Sequence, residues 1–207
     1  MPNPKRLACA MLAFSATLFA GCTSLITPPP ELAVYDLGHL SAGTTAAPAI
    51  VPAQIEVRAP SWLASAAMQY RLEFESPAAR QSFTESRWAA SPAEMVQRQL
   101  AQALIAGGPR DGRCRLRVEL DEYVQVFDAP DRSAAVLSAT AVLLAAREER
   151  VLDSRRFDMR IAATSADARS GVLAHRAAVA QFADALGRWL DALGREGGDA
   201  LRTACMR

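Results

Sequence analysis

The chain has 207 residues, of which 51% are hydrophobic, and its 23 basic and 22 acidic side chains give a formal net charge of +1 at pH 7. This balance excludes a strongly basic nucleic-acid-binding protein and a polybasic membrane-surface protein. The length suffices for one domain with a substantial hydrophobic core.

The first 21 residues are typical of an export signal. A short basic start precedes an apolar run that ends at Phe19 and is too short to span a bilayer. Phe19 is too bulky for an ordinary signal cut before Cys22, whereas Ala20 and Gly21 resemble the small residues of the bacterial lipobox. We therefore predict that residues 1–21 are a lipoprotein signal peptide and that Cys22 is the lipidation site. The alternative is an ordinary secreted protein cut after Cys22.

Residues 22–33 are predicted to form a tether, because their proline triplet favours a stiff, extended polyproline II conformation. The sequence "VYDLG" that follows predicts a short strand. We expect residues 34–207 to form a single domain.

Two half-buried strands are predicted next from alternating polarity. Ile55 and Val57 alternate with polar neighbours in the first, and Tyr70, Leu72 and Phe74 share one face of the second.

A helix is predicted to begin at "SPAE". Ser91 is its N-cap, Pro92 its first residue, and Glu94 completes a capping box. The expected buried stripe consists of Val96, Leu100, Ala103 and Leu104.

Three consecutive strands joined by short turns are predicted from residue 114 to residue 163, which indicates an antiparallel meander. Glu122 interrupts the apolar face of the first strand and indicates a bulge or a sheet edge. That face is expected to contain Leu116, Val118, Leu120, Val124 and Val126.

The last large element is a long helix that begins near residue 164. Its apolar stripe contains Val172, His175, Val179, Phe182, Leu186, Trp189 and Leu193. The expected fold is a two-layer α+β domain, in which two main helices pack on one face of a largely antiparallel sheet.

Cysteine use fits an oxidising compartment. With Cys22 lipidated, Cys114 and Cys205 remain as an even pair and are predicted to form a disulfide. The alternative is two buried free thiols that pack as small hydrophobic groups.

No motif for catalysis or metal binding is present. The two histidines are His39, in a turn-rich loop, and His175, in the apolar helical stripe, where packing is the expected role. The arginines of residues 110–117 precede acidic residues on the same strand face, so a self-compensating surface is expected there. We predict a protein that is not an enzyme and has no cofactor, metal or nucleic-acid partner.

Short stretches along nearly the whole chain resemble one family, the ABC-type transport auxiliary lipoproteins, which include the paraquat-inducible protein C-like lipoproteins of Gram-negative bacteria. The order and spacing of the stretches carry the resemblance. They are "YDLG" (35–38), "IEVRAPSWL" (55–63), "MQYRLE" (68–73), "RWAASP" (87–92), "YVQVFD" (123–128) and "RWLDAL" (188–193).

This resemblance implies a non-catalytic partner of an ABC permease, its ATPase and a periplasmic protein of the mammalian-cell-entry type, in a system that moves lipids between the two membranes. It also implies anchoring on the periplasmic face of the outer membrane, which agrees with Thr23, because Asp at that position is the usual inner-membrane retention signal. A homo-oligomer is compatible with this role, and direct carriage of apolar cargo is the alternative.

Overall fold

The fold is built on one mixed β-sheet with helices packed against it. The computed structural model describes residues 31–39, 48–105, 113–145 and 149–205, excluding the side chains of residues 199, 200 and 202. The strands are β1 (Ala33–Tyr35), β2 (Gln54–Arg58), β3 (Ala67–Leu72), β4 (Gln81–Trp88), β5 (Arg115–Ala129), β6 (Arg132–Leu144) and β7 (Val151–Ala162), and the helices are α1 (Pro92–Leu104), α2 (Ala168–Glu196) and α3 (Asp199–Cys205).

The strand order is β1-β4-β3-β5-β6-β7, and β2 also pairs with β5. On one edge of β5, β2 lies along Arg115–Glu119 and β3 along Gln125–Phe127, both parallel to it. The other edge pairs antiparallel with β6, which pairs antiparallel with β7. The structure thus confirms the α+β class and the meander, and it adds parallel pairs at the β1 side of the sheet.

Helix α1 begins where the capping box predicts. The Ser91 side chain accepts a hydrogen bond from the Glu94 amide at 3.4 Å, and Gln97 accepts one from the Val57 amide of β2 at 2.9 Å. The buried face differs from the expected stripe, because Ala103 is exposed, whereas Met95 and Gln99 are buried. Gln99 is accommodated because its amide donates to a backbone carbonyl, that of Gly38, at 2.7 Å.

Helix α2 buries its predicted stripe against β6 and β7. Phe182 and Leu186 are fully buried, and Leu193 at the far end is half-buried. The ring of Phe157 on β7 packs edge-on against Phe182 at 5.4 Å between centroids. The Trp189 indole donates a hydrogen bond to the Asp153 carboxylate at 3.1 Å, which satisfies its one polar atom.

A β-bulge changes which residues of β5 face the helices. The register with β6 shifts between Leu120 and Glu122, so the bulge is the correct one of the two alternatives that Glu122 indicated. Beyond the bulge, Tyr123 stacks on His175 of α2, so the odd-numbered positions face the helical layer. The prediction that Val124 and Val126 share the face of Leu120 is therefore wrong, because one extra residue inverts the alternation.

At the β1 side, one further prediction is wrong and one strand is missing from the predicted elements. Phe74 lies beyond the end of β3 and is 48% exposed, so it does not belong to a buried strand face. Strand β4 was not predicted at all, because most of its side chains are exposed and its sequence has no continuous apolar face.

Alanine substitutions at two glycines of α2 are expected to have opposite effects on the stability of the protein. A Cβ at Gly171 would overlap the side-chain amide of the buried Gln125, whereas a Cβ at Gly187 would lie 3.5 Å from Leu104, an ordinary contact. Gly171→Ala should lower the free energy of unfolding by about 1–3 kcal/mol. Gly187→Ala, the matched control, should be neutral or stabilise by up to about 1 kcal/mol through its better helix propensity. Urea unfolding of both variants measures the difference, and equal midpoints would contradict this packing.

Candidate functional site

The predicted site residues fall in separate places. Cys22 lies outside the described residues. Cys114, just before β5, and Cys205, at the end of α3, are joined by a disulfide in the structure, with Cα atoms 4.8 Å apart. Both cysteines are buried, so this bond ties the C-terminal helix to the central strand.

His175 is a packing residue rather than part of a reactive group. Its ring stacks on Tyr123 with centroids 4.2 Å apart and meets Trp88 edge-on at 5.5 Å. Burial lowers the pKa of His175 to about 3, so the ring is neutral in the folded protein. Its Nδ1 atom and the Tyr123 hydroxyl have no hydrogen-bond partner within the described part of the chain.

The burial of His175 predicts a loss of stability in mild acid. The unfolded ring takes up a proton near its ordinary pKa of about 6.5, but the folded ring does not, so stability present above that pH is lost as the pH falls towards 3. The free energy of unfolding should fall by about 1.4 kcal/mol for each pH unit between roughly pH 5.5 and 4.5. Denaturant titrations across this range measure the slope.

The matched variants are His175→Phe and His39→Gln. His175→Phe should remove this slope, whereas His39→Gln should keep it, because His39 is exposed. The hydrogen bond from the Arg132 guanidinium lowers the pKa of the Asp128 carboxyl, so this group does not account for the slope. An unchanged slope in His175→Phe would contradict the assignment.

The sheet face opposite the helices carries paired charges. Arg117 pairs with Glu119 at 3.0 Å, and Arg156 pairs with Asp121 at 3.1 Å, as expected for a self-compensating surface. Exposed pairs of this kind contribute little to stability. In the described ranges, no three His, Cys, Asp or Glu side chains are close enough to hold a metal ion. The same ranges contain no helix long and apolar enough to cross a membrane.

Two cavities border the segment that follows β1. One, of about 210 Å³, lies against α1 and includes Gln99, and the other, of about 450 Å³, lies against the start of α2. We call the second the β1–α2 groove, and its principal lining residues are Val34, Tyr35, Ala89, Arg169, Leu173 and Arg176.

The apolar part of the β1–α2 groove is open to solvent. Val34 and Leu173 are each more than half exposed, at 51% and 53%. They are two of the few large apolar side chains exposed in the described residues, and both line this one groove. Clustered apolar exposure of this kind is typical of a binding surface.

The charged part of the groove is positive. No described carboxylate lies within 4.0 Å of the guanidinium of Arg169 or Arg176, in contrast to the paired arginines of the opposite face. The Nε atom of Arg176 is buried without a hydrogen-bond partner among the described groups. Asp36, the acidic residue of the groove, accepts a hydrogen bond from the Gly38 amide at 2.7 Å.

Gly38 shapes the floor of the groove. Its φ of 58° lies in the left-handed region that favours glycine. The Arg176 guanidinium packs on this residue and donates a weak hydrogen bond to the His39 carbonyl at 3.4 Å. The tight turn therefore positions one of the two arginines.

The chain matches a protein-family model over most of its length. The family model described as "ABC-type transport auxiliary lipoprotein component" matches residues 35–187. This range runs from the end of β1 into α2 and includes the lining residues of the β1–α2 groove except Val34. No curated protein matches the chain significantly.

Two solved structures are similar in fold. Protein XCC0632 from Xanthomonas campestris, assigned to the family DUF330, has 19% identity and a TM-score of 0.68, and the match covers 79% of this chain and 97% of that one. An uncharacterized protein has 14% identity and a TM-score of 0.58, with 77% of this chain and 99% of that one covered. At these identities the likeness shows the fold alone.

Proposed function

Since the chain belongs to the ABC-type transport auxiliary lipoprotein family, we propose that it is a lipid-anchored, non-catalytic component of an intermembrane lipid transport system. The family match over residues 35–187 is the observation that carries this proposal. The system would consist of an ABC permease, its ATPase and a periplasmic protein of the mammalian-cell-entry type, and this chain would meet the periplasmic protein.

The proposed location is the periplasmic face of the outer membrane. Cys22 would carry the lipid after removal of residues 1–21, and Thr23 supports release to the outer membrane. A Pro-rich tether would then connect the domain from residue 34 onwards to the lipid anchor. A homo-oligomer remains compatible with this arrangement.

Affinity purification from cross-linked cell envelopes tests the proposal. A chain tagged after residue 207 should recover the mammalian-cell-entry-type protein, identified by mass spectrometry, together with the permease or ATPase. An unrelated outer-membrane lipoprotein with the same tag is the control. Recovery of neither class of partner above that control would contradict the proposal.

A second candidate function is direct carriage of apolar cargo. The β1–α2 groove favours it, because Val34, Val172 and Leu173 give an apolar lining between the sheet and a helix. Native mass spectrometry of the unlipidated chain, incubated with extracted cell lipids, should then show a one-to-one lipid adduct. The absence of any adduct would remove this candidate and leave the adaptor role intact.

A further inference from the structure

We propose that the β1–α2 groove binds the headgroup of an anionic phospholipid, so that the β1 end of the domain lies against the membrane that holds the anchor. This inference rests on the anchoring part of the proposed function. It goes beyond that function by assigning a lipid headgroup site and an orientation to the domain.

The charges of the groove are complementary to a phosphodiester. A guanidinium binds phosphate oxygens through paired N–H donors, and it retains full charge at any physiological pH. No described carboxylate pairs with Arg169 or Arg176. Arg176 donates one weak hydrogen bond to the His39 carbonyl at 3.4 Å, and its buried Nε donor has no partner among the described groups.

The apolar residues of the groove suit the part of a lipid next to its headgroup. Val34 and Leu173 are half exposed beside the two arginines. Leu32, two residues before Val34 and immediately before β1, is 44% exposed. Apolar side chains beside cations are the usual composition of protein surfaces that lie in the headgroup region of a bilayer.

The length of the chain before the domain allows this contact. Leu32 lies ten residues after Cys22, so a fully extended connection spans at most about 36 Å, roughly the diameter of a small domain. A connection of this length permits the β1 end of the domain to reach the surface of the membrane that holds the anchor. On the opposite sheet face, by contrast, Arg117 and Arg156 are paired with carboxylates.

Vesicle sedimentation tests the proposal without the anchor. Residues 22–207 with Cys22→Ser are exported behind an ordinary cleavable signal peptide and mixed with phosphatidylcholine vesicles, with or without 30% phosphatidylglycerol. The chain should sediment with the anionic vesicles only. Arg169→Gln with Arg176→Gln should weaken this binding about 30-fold, since each arginine near an anionic surface contributes about 1 kcal/mol.

The matched control is Arg58→Gln with Arg156→Gln. It removes the same charge from two exposed arginines that are paired with Glu56 and Asp158 on the opposite sheet face. Its binding should stay within about twofold of the parent chain, because these cations do not face the bilayer. If both double variants lost vesicle binding to the same extent, the loss would reflect net charge alone, and the proposal would be overturned.

A second readout locates the contact and does not depend on the arginine variants. Trp at position 173, introduced by Leu173→Trp, should be quenched by brominated phosphatidylglycerol. Phe74→Trp, at a similarly exposed position beyond the far end of β3, should not be quenched. No quenching of either, or equal sedimentation with neutral vesicles, would overturn the groove site.

Other occupants give different outcomes. If a second copy of the chain fills the groove, light scattering will show an oligomer that the Arg169→Gln, Arg176→Gln variant dissociates, and vesicle binding will be absent. That result would overturn the headgroup site. Because the sedimented chain carries no lipid, failure here is distinguishable from failure of the anchoring proposal, which cell fractionation of the wild-type chain reports.

Discussion

Replacing both Cys114 and Cys205 with alanine is expected to lower the free energy of unfolding by about 4 to 5 kcal/mol. In the chain-entropy model, a cross-link between residues 91 positions apart contributes this much by restricting the unfolded chain. The loop that the bond closes contains β5, β6, β7 and α2, so most of the sheet depends on it. A domain whose free energy of unfolding is about 5 kcal/mol, the low end of the usual range, would lose nearly all of its stability.

Denaturant unfolding with and without reductant measures the effect. The oxidised chain should show no free thiol after denaturation, and the midpoint of the reduced chain should approach that of the double alanine variant. A single Cys205→Ala change controls for packing, because it breaks the bond but leaves the buried Cys114 in place. Two titratable thiols in the native exported chain, or a loss below about 1 kcal/mol, would contradict a structural disulfide.

Removing the acceptor thiol of Cys22 is expected to move the protein from the membrane fraction to the soluble periplasm. A single acyl chain binds a membrane only marginally, whereas the three chains of a mature lipoprotein cysteine hold it firmly. Without the lipid, the weak headgroup contact proposed for the groove is not enough to retain the chain during fractionation.

The measurement compares the wild-type chain with Cys22→Ser. An ordinary cleavable signal peptide replaces residues 1–21 in the variant, so that an uncut signal does not act as an anchor. Thr23→Asp is a second variant, and it should move the lipidated chain to the inner-membrane fraction of a sucrose gradient. Membrane attachment of Cys22→Ser that resists high salt would contradict lipidation as the anchor.

The helices and the meander could be predicted because local signals agree with the tertiary environment. The capping box at Ser91 and the stripe from Val172 to Trp189 identify both main helices, and Ser91 caps α1 in the structure. In a helix with one buried face, apolar residues recur every three to four positions, and in a half-buried strand they recur every second position.

Features that depend on distant residues could not be predicted. The bulge before Glu122 was indicated, but its consequence for Val124 and Val126 requires the register with β6. Gln99 is buried because the Gly38 carbonyl, 61 residues away, accepts its hydrogen bond. Partly exposed β4 carries too few apolar residues to stand out.

The β1–α2 groove was not predicted for the same reason. Val34 and Leu173 are far apart in the sequence, and they line the same groove only because the start of α2 lies near β1 in the fold. The one signal in the sequence is that Arg169 and Arg176 stand at the start of the helix without an acidic residue between them. Arg176 is seven residues after Arg169, which places both on one helix face.

Direct binding between this chain and the mammalian-cell-entry-type protein of the proposed transport system tests the central claim. The unlipidated chain, residues 22–207 with Cys22→Ser, would be immobilised and exposed to the purified periplasmic domain of that protein. We predict saturable binding that a denatured sample of this chain does not show. No binding by the folded chain at any concentration tested would contradict its role as an auxiliary component.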